Sequence, residues 1–391
     1  MSPRNDPTFD KARHIKYWKR NADLLPEAYT SGDAARMSLG FFIVAALDLL
    51  GVLDTLVSEE ERIAWIDWIY SLQVPSGGFR GFSGTNLGSQ RNIFNLHWDP
   101  ANLHNTYMGL VALLVLGDDL GRVKRTECLR WVKQLQKSNG CFGEMVGEDN
   151  VALGKDDLRS SYCAAGIIYI LGSETDNEQW LDKEGVLRYV SNCQDTEGAF
   201  GQAWLREAHA GLNFCAMATL GCLDRIYGSE TSDRSVFLSP LLQLDANLGW
   251  MLQRQTTWVD DQDSDDEDAD DDEEASTPVT PHISAGFSGR CNKMADTCYC
   301  FWNVGAMALL RRESLVGVEA LKTYLFGSTQ HLIGGFSKTP GAVPDLLHAY
   351  TGLAALSVVG QEGLKEFDPV LCVSRGTRDR LDAIRRARAP I

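Results

Sequence analysis

A short motif recurs along the chain and constrains its fold more than any other feature. A glutamine is followed six residues later by a phenylalanine that closes a glycine-containing turn. The copies are QVPSGGF from Gln73, QKSNGCF from Gln136, QDTEGAF from Gln194 and QHLIGGF from Gln330. In a fifth copy, ISAGFSGR around Phe287, an acidic insert separates the turn from its glutamine, Gln255. A motif that recurs in this way along a chain predicts an array of similar supersecondary units.

Each turn lies between two segments with helical patterns. Upstream segments such as TECLRWVKQLQ and KEGVLRYVSNCQ have apolar residues at i, i+3, i+4 and i+7, which predicts half-buried helices. Downstream runs are apolar nearly all round, which predicts fully buried helices. Five of these runs open on an aromatic residue, in steps of 55, 52, 85 and 51 residues: Tyr107, Tyr162, Phe214, Tyr299 and Tyr350. The run from Arg36 to Gly51 adds a sixth.

A half-buried and a fully buried helix in every repeat predict two concentric layers. We therefore predict an all-α fold, an α/α barrel (toroid) of about six helical hairpin repeats. We expect one domain over residues 1–391. An open solenoid of the same hairpins is the alternative that the pattern leaves open.

The negative charge of the chain is confined to one segment. The run from Asp260 to Glu274 holds 12 acidic residues of a chain whose net charge is −16, so only four net negative charges remain elsewhere. We expect a disordered acidic insert at about 257–280. This distribution does not favour a nucleic-acid partner. The absence of a long apolar span and of a signal peptide, with ten cysteines, predicts a cytoplasmic protein with reduced thiols and no membrane span.

Polar residues lie at one level when the repeats are aligned on their aromatic residues. Asp296 and Cys298 come just before Tyr299, and His348 lies two residues before Tyr350. Because Cys298 and His348 are one repeat apart, we expect them to face each other from adjacent inner helices. A carboxylate, a thiolate and an imidazole form a zinc-type ligand set with a fourth position open for catalysis. A capping Asp, a buried Cys and a core His are the alternative.

Basic side chains lie at the same level, next to Tyr299. They are His209, Arg290 and Lys293. Helix N-termini add positive potential there, and such a patch suits a diphosphate. Two solvated basic residues would account for part of the pattern equally well. The apolar interior suits a long hydrocarbon, although core packing explains the same aromatic residues.

The chain resembles the beta subunits of protein prenyltransferases, and among them those of type I geranylgeranyltransferase. The resemblance covers about residues 14–380 and includes ARMSLGFFIVAALDLLGVLD, WIDWIYSLQV, LVLGDDLGRV, EAHAGLNFC, GRCNKMADTCYCFW and GGFSKTPGAVPDLLHAY. It implies a catalytic beta subunit that transfers geranylgeranyl from its diphosphate to the Cys of a C-terminal CaaX motif, X usually being Leu. It also implies a heterodimer with a prenyltransferase alpha subunit, which contributes a Lys to the site, and CaaX proteins such as small GTPases as substrates.

The resemblance also implies roles for single residues. The zinc ligands, for one Zn2+ per beta subunit, are Asp296, Cys298 and His348; the substrate thiol takes the fourth position as a thiolate. The diphosphate-binding residues are His209, Arg290, Lys293 and Tyr299. The residues of the isoprenoid and peptide pocket are Ser38, Phe42, Arg159, Trp302 and Leu347. The catalytic residues that stabilise the departing diphosphate are Lys338, Tyr299 and His209.

Two positions favour geranylgeranyl over farnesyl transfer. Farnesyltransferases have a bulky Trp where this chain has Ser38, so a small residue leaves room for a fourth isoprene unit. Type I enzymes usually have Thr there, and Ser departs from that pattern mildly. Farnesyltransferases also have a magnesium-binding Asp at the position of Lys338, and the Lys implies that Mg2+ is not required.

Three alternatives remain from sequence. A farnesyltransferase beta subunit is the nearest. A terpene cyclase shares the barrel and the repeats, but its acidic DxDD motif is matched only inside the low-complexity run, at Asp263 to Asp268. A non-catalytic helical scaffold, binding a basic partner through the acidic insert, would need no zinc.

Overall fold

The computed structural model describes residues 7–172, 179–227, 242–259 and 283–388. These residues form fourteen α-helices: α1 (Lys11–Asp23), α2 (Arg36–Leu49), α3 (Leu53–Leu56), α4 (Glu59–Ser71), α5 (Leu103–Val115), α6 (Arg125–Gln134), α7 (Leu158–Leu171), α8 (Lys183–Asn192), α9 (Ala210–Tyr227), α10 (Leu244–Leu252), α11 (Thr297–Leu309), α12 (Val318–Tyr324), α13 (Leu346–Val358) and α14 (Arg375–Arg388). A π-helical turn, Leu325–Thr329, continues α12. No described helix has the length and apolar character needed to cross a bilayer.

Short elements complete the fold. The 3-10 helices span Glu27–Ala35, Ser83–Thr85, Gly88–Gln90, Leu96–Trp98 and Glu313–Leu315. The strands are β1 (Met145–Val146), β2 (Ala152–Leu153), β3 (Gln255–Thr256), β4 (Gly286–Phe287), β5 (Phe367–Asp368) and β6 (Val373–Ser374). They form three antiparallel ribbons, β1–β2, β3–β4 and β5–β6.

Six helices form a closed inner ring. Helices α2, α5, α7, α9, α11 and α13 pack in chain order, each against the next, and α13 packs back against α2. Every residue of α7 from Ser160 to Leu171 is buried, as expected for a run that is apolar all round. The return contact between α13 and α2 confirms the predicted α/α barrel and excludes an open solenoid.

An outer helix precedes each inner helix, which gives the six predicted hairpins. Helix α6 buries Cys128, Leu129, Trp131 and Val132 on one face, in agreement with its 3.6-residue period. Helix α4 fits the pattern less well, because it buries only Ile69 and Tyr70 along its length.

Glutamines of the repeat motif connect several hairpins to the next. The side-chain amide of Gln136 accepts a hydrogen bond from the backbone N–H of Asp182 (2.8 Å) and donates one to its carbonyl (3.1 Å). Asp182 is the N-cap of the next outer helix, α8. Gln194 makes the same pair of bonds with Gln243 before α10 (3.0 and 3.3 Å). Both glutamines therefore fix the start of the following outer helix.

The fifth copy of the motif keeps this arrangement despite the insert. Gln255 bonds to Gly317 before α12 through the same two backbone groups (3.0 and 2.9 Å). It also pairs with Phe287 across β3–β4, where the other copies have an isolated bridge between their Gln and Phe. Residues 260–280 of the predicted insert lie outside the described residues, so its disorder and the boundaries of the single domain stay predictions.

The last glutamine joins the end of the chain to its beginning. The side-chain oxygen of Gln330 accepts a hydrogen bond from the N–H of Asp10 (2.9 Å), and its nitrogen donates to the carbonyl of Thr8 (2.9 Å). His14 of α1 is fully buried beside it, with Nε2 at 3.1 Å from the same oxygen. Burial lowers the pKa of His14 to about 4, so the ring is neutral at physiological pH. The first helix thus closes the outer layer.

The turn glycines allow neighbouring hairpins to approach closely. Gly140 has a φ of +91°, and a Cβ there would lie 2.0 Å from the carbonyl oxygen of Gly185 in α8. Gly334 has a φ of +84°, and a Cβ would lie 2.2 Å from the carbonyl oxygen of Arg13 in α1. Only glycine combines this backbone conformation with this separation.

We predict that Gln330→Ala loosens the closure of the ring. The variant loses the bonds to the start of α1 and leaves the buried His14 without this acceptor, which should lower the free energy of unfolding by about 1–3 kcal/mol. Hydrogen–deuterium exchange should show faster exchange of the α1 amides. Gln136→Ala is the matched control, because it removes an equivalent pair of bonds elsewhere. Equal protection of α1 in both variants would contradict the closing role of Gln330.

Candidate metal centre and adjoining cavity

The inner helices begin at one rim of the barrel, and aspartates cap three of them. The carboxylate of Asp296 accepts a hydrogen bond from the N–H of Cys298 at the start of α11 (2.8 Å). Asp345 caps α13 through the N–H of His348 (3.0 Å), and Asp157 caps α7. The carboxylates satisfy N–H groups that have no partner within the helix. The capping geometry places Asp296 just outside the helix and Cys298 within its first turn.

Asp296, Cys298 and His348 form one compact cluster. One ligand atom of each, a carboxylate oxygen, the sulfur and an imidazole nitrogen, lie within 4.8 Å of one another. His348 Nε2 is 3.3 Å from Asp296 Oδ1. The residues are only 5%, 8% and 9% exposed, respectively. The predicted convergence of neighbouring hairpins on one point is therefore what the structure shows.

Asp345 orients the imidazole of His348 within this cluster. Its second carboxylate oxygen accepts a hydrogen bond from His348 Nδ1–H (2.6 Å), while the first caps the helix. Nε2 is thereby left facing Asp296. Sequence reasoning missed Asp345, although an Asp three residues before His348, at the start of an apolar run, is a recognisable N-cap signal. Carboxylate–histidine pairs of this kind position metal-ligating histidines.

The electrostatics of the cluster fit a bound cation. Burial and the adjacent Asp296 raise the pKa of the Cys298 thiol. Burial lowers the pKa of His348, but hydrogen bonds to Asp296 and Asp345 outweigh it and raise that pKa to about 9. The site thus favours an added positive charge on the imidazole, and a divalent cation can replace that proton. Oxygen, sulfur and nitrogen donors at this separation suit Zn2+.

His209 and Tyr299 lie next to the cluster on the same rim. His209 Nδ1 accepts a hydrogen bond from the N–H of Gly211 (3.1 Å), so Nε2 carries the proton that it donates to Tyr299 Oη (3.2 Å). Burial, together with the charge of Arg290, lowers the pKa of His209. The imidazole is therefore a neutral hydrogen-bond donor at physiological pH.

The three predicted cations lie on short loops that isolated bridges close at the rim. The bridge Ser288–Ala295 closes the loop with Arg290 and Lys293, and Ser337–Pro344 closes the loop with Lys338. The backbone carbonyl of Lys338 accepts a hydrogen bond from the N–H of Thr297, directly after Asp296 (3.0 Å). This bond holds the Lys338 loop against the metal centre. The Lys293 and Lys338 side chains are exposed.

Arg290 and Arg159 both have acidic neighbours. Arg290 Nη1 is 3.1 Å from Glu207 Oε2, and both side chains are largely exposed, so the pair contributes little to stability. Arg159 makes a bidentate pair with Asp157 (2.9 and 2.6 Å). Because Asp157 is buried, it holds the Arg159 guanidinium in place at the rim. The pair uses Nε and Nη2 of Arg159 and leaves Nη1 available for another acceptor.

An apolar cavity of about 460 Å3 opens inside the inner ring below this rim. Among the predicted site residues, it is lined by Phe42, Arg159, His209, Trp302 and Leu347. Ser38, on α2, does not line this cavity; nor do the rim residues Tyr299, Arg290, Lys293 and Lys338. The predicted role of Ser38 as a measure of lipid length thus stays a prediction without a cavity contact.

The amino-acid sequence matches one family of known proteins. Residues 9–373 match the family described as prenyltransferase alpha-alpha toroid domain. The chain is 33% identical over 375 residues to the geranylgeranyl transferase type-1 subunit beta of Arabidopsis thaliana, which covers 93% of this chain and 88% of the relative. The Dictyostelium discoideum protein of the same name is 31% identical over 379 residues, covering 92% and 94%.

Two further comparisons concern the alternative and the fold. The protein farnesyltransferase subunit beta of Schizosaccharomyces pombe is 27% identical over 369 residues, covering 91% of this chain and 79% of the relative. The solved structure of Candida albicans protein geranylgeranyltransferase-I complexed with GGPP shares the fold, with a TM-score of 0.79 and 23% identity over 97% of this chain and 99% of that one. The chain therefore belongs to the prenyltransferase family of α/α toroids, and it is more similar to the type I geranylgeranyltransferase beta subunits than to the farnesyltransferase beta subunit.

Proposed function

We propose that this chain is the catalytic beta subunit of a type I protein geranylgeranyltransferase. It transfers the geranylgeranyl group of geranylgeranyl diphosphate to the Cys of a C-terminal CaaX motif, in a heterodimer with a prenyltransferase alpha subunit. One observation carries the proposal: a buried Asp–Cys–His cluster lies at the starts of α11 and α13, and Trp302 and Leu347 of the same two helices line an apolar cavity.

The cavity accounts for the binding of a long hydrocarbon. Its walls are largely aromatic and aliphatic, with Phe42, Trp302 and Leu347 among them. Burying the prenyl chain there removes apolar surface from water, which stabilises the complex by roughly 25 cal/mol per Å2. The same enclosure keeps water from the carbon that reacts. The diphosphate, being charged, remains at the rim.

The buried cluster supplies the site for the nucleophile. Asp296, Cys298 and His348 would hold Zn2+, and Asp345 keeps His348 in the required tautomer. When bound there, zinc would keep the acceptor sulfur deprotonated near neutral pH, where a free Cys is mostly protonated. The chain then needs no separate general base next to the acceptor thiol.

The rim residues act on the leaving group. Transfer forms a bond between the sulfur and C1 of the lipid and breaks the bond between C1 and the diphosphate oxygen, and the thiol proton is released. Arg290, Lys293 and Lys338 stabilise the negative charge that grows on the diphosphate, and His209 and Tyr299 orient it through hydrogen bonds. A preorganised donor of this type lowers the barrier by about 3–4 kcal/mol. Lys338 makes Mg2+ unnecessary.

The acceptor peptide approaches from the same rim. Arg159 holds its C-terminal end, and Phe42 and Leu347 contact its last residues, where Leu is favoured. CaaX proteins such as small GTPases in the cytoplasm are the substrates. The alternative, a farnesyltransferase, is less well supported because the farnesyltransferase relative has lower identity than both type I relatives.

We predict that Asp296→Ala abolishes stoichiometric zinc binding and turnover, because one of three protein ligands is lost. The heterodimer should still bind geranylgeranyl diphosphate. Elemental analysis of the purified heterodimer measures the zinc. Asp182→Ala is the matched control, since it removes an N-cap from α8 without touching the cluster. Full zinc content in the Asp296 variant would refute the ligand assignment.

We predict that Lys338→Asp makes turnover dependent on Mg2+. The substitution replaces a cation at the diphosphate by a carboxylate, so a divalent ion must neutralise the leaving group. Steady-state rates with and without millimolar Mg2+ test this. Lys155→Asp, on a different rim loop, changes the charge equally and should stay indifferent to Mg2+. Magnesium-independent turnover by the Lys338 variant would remove that residue from leaving-group stabilisation.

A further inference from the structure

A β-hairpin closes the end of the barrel opposite the rim. Strands β5 and β6 follow the C-terminal end of α13 and pair Phe367 with Ser374 and Asp368 with Val373. The four residues between the strands, 369–372, form the tip, and Val370, Leu371 and Cys372 are all buried. The tip therefore lies inside the inner ring and not on the surface.

Three tyrosines of the inner ring hold this tip by its backbone carbonyls. Tyr162 donates to the carbonyl of Val370 (2.9 Å), and Tyr107 donates to that of Leu371 (2.9 Å). Tyr350 donates to the carbonyl of Cys372. Each tyrosine is the fifth residue of its helix, in α5, α7 or α13. The tip thus reaches a level little more than one helical turn below the rim.

The hairpin is also fixed from below. The carboxylate of Asp368 accepts hydrogen bonds from the N–H groups of Val370 (2.8 Å) and Leu371 (3.2 Å). Its other oxygen is 2.8 Å from Arg225 at the end of α9. Asp368 is only 4% exposed, so the carboxylate of this ion pair is shielded from solvent. A tip held at both ends is a rigid boundary.

Cys372 is the residue of this tip that faces the cavity. It lines the cavity together with the three tyrosines. The tyrosines lie about one helical turn further into the ring than Arg159, the second residue of α7, and His209, which directly precedes α9. Its sulfur is 3.5 Å from Tyr162 Oη. Its φ is +56°, a conformation in which larger β-branched side chains are strongly disfavoured.

We infer that Cys372 forms the floor of the prenyl cavity and sets the length of the hydrocarbon that it admits. The inference rests on the proposed function and names the residue that determines its lipid specificity. Ser38, the residue that sequence resemblance points to, does not line the cavity. A rigid floor discriminates by length because each extra unit of the chain must either fit above Cys372 or remain in water.

Cys372→Met tests the inference in the full-length chain, purified with its alpha subunit. Methionine is unbranched at Cβ and longer, so it raises the floor without adding β-branching at a positive φ. The ratio of kcat/KM for the C20 diphosphate to that for the C15 diphosphate should fall by about tenfold or more, as one misplaced methylene changes discrimination by about 10–200-fold. Equilibrium binding of both diphosphates should shift in the same direction.

Two further variants keep the test decisive. Cys222→Met adds the same volume in α9 at a buried cysteine that does not line the cavity, and its ratio should equal that of the wild type. Cys372→Ala removes only the sulfur and lowers the floor. It should keep C20 transfer and gain measurable transfer of a C25 diphosphate, even if the methionine variant does not fold.

The outcomes separate this inference from the function on which it rests. A wild-type heterodimer that transfers C20 lipid, with unchanged ratios in both Cys372 variants, overturns the floor assignment and leaves the proposed function intact. A wild-type heterodimer that neither binds nor transfers either diphosphate overturns both. A shift in the Cys372 variants alone, with Cys222→Met unchanged, supports the inference.

Discussion

The structure depends on glutamine side-chain amides that hydrogen-bond to the backbone as a peptide group would. A glutamine amide offers one donor and one acceptor with the spacing of a peptide group, so it can bond to both backbone groups of one residue in the next hairpin. Gln136, Gln194 and Gln255 do this at the start of the following outer helix. The start of the following outer helix is thereby fixed at three points of the ring. Gln330 makes two comparable bonds, to Asp10 and Thr8, where the last hairpin meets the first.

Two of the helix-capping aspartates also take part in the candidate metal site. Asp296 and Asp345 satisfy the N–H groups at the starts of α11 and α13, which any buried helix end requires. In these two helices, the same carboxylates also bring together a thiol and an imidazole from adjacent repeats. Helix capping and the assembly of the candidate metal ligands therefore place the same demand on the backbone. The rim that carries the candidate site needs no elements beyond those that the repeat already has.

The sequence predicts most of this because periodicity reports burial directly. The six hairpins follow from apolar patterns, and the facing of Cys298 and His348 follows from their separation by one repeat. Alignment on aromatic residues has a limit, however: Tyr299 is the third residue of α11, whereas Tyr350 is the fifth of α13. The position of the β5–β6 tip inside the ring could not be predicted from the sequence. Backbone carbonyls of residues 370–372 hold the tip, and every residue type has such a carbonyl. The hydrogen bond between His348 and Asp345 could not be predicted either. One oxygen of Asp345 caps α13, and only the structure shows that the other oxygen accepts from the imidazole.

The bond between Gln330 and Asp10 joins residues 320 positions apart. Contacts of such separation form late, because most of the chain must exist before they can be made. During synthesis, the apolar face of α2 that packs against α13 therefore stays uncovered until the last hairpin, α12–α13, has been made. A newly synthesised chain of this kind exposes apolar surface for longer than a protein built from local contacts. It therefore needs protection from aggregation until the final repeat has been synthesised.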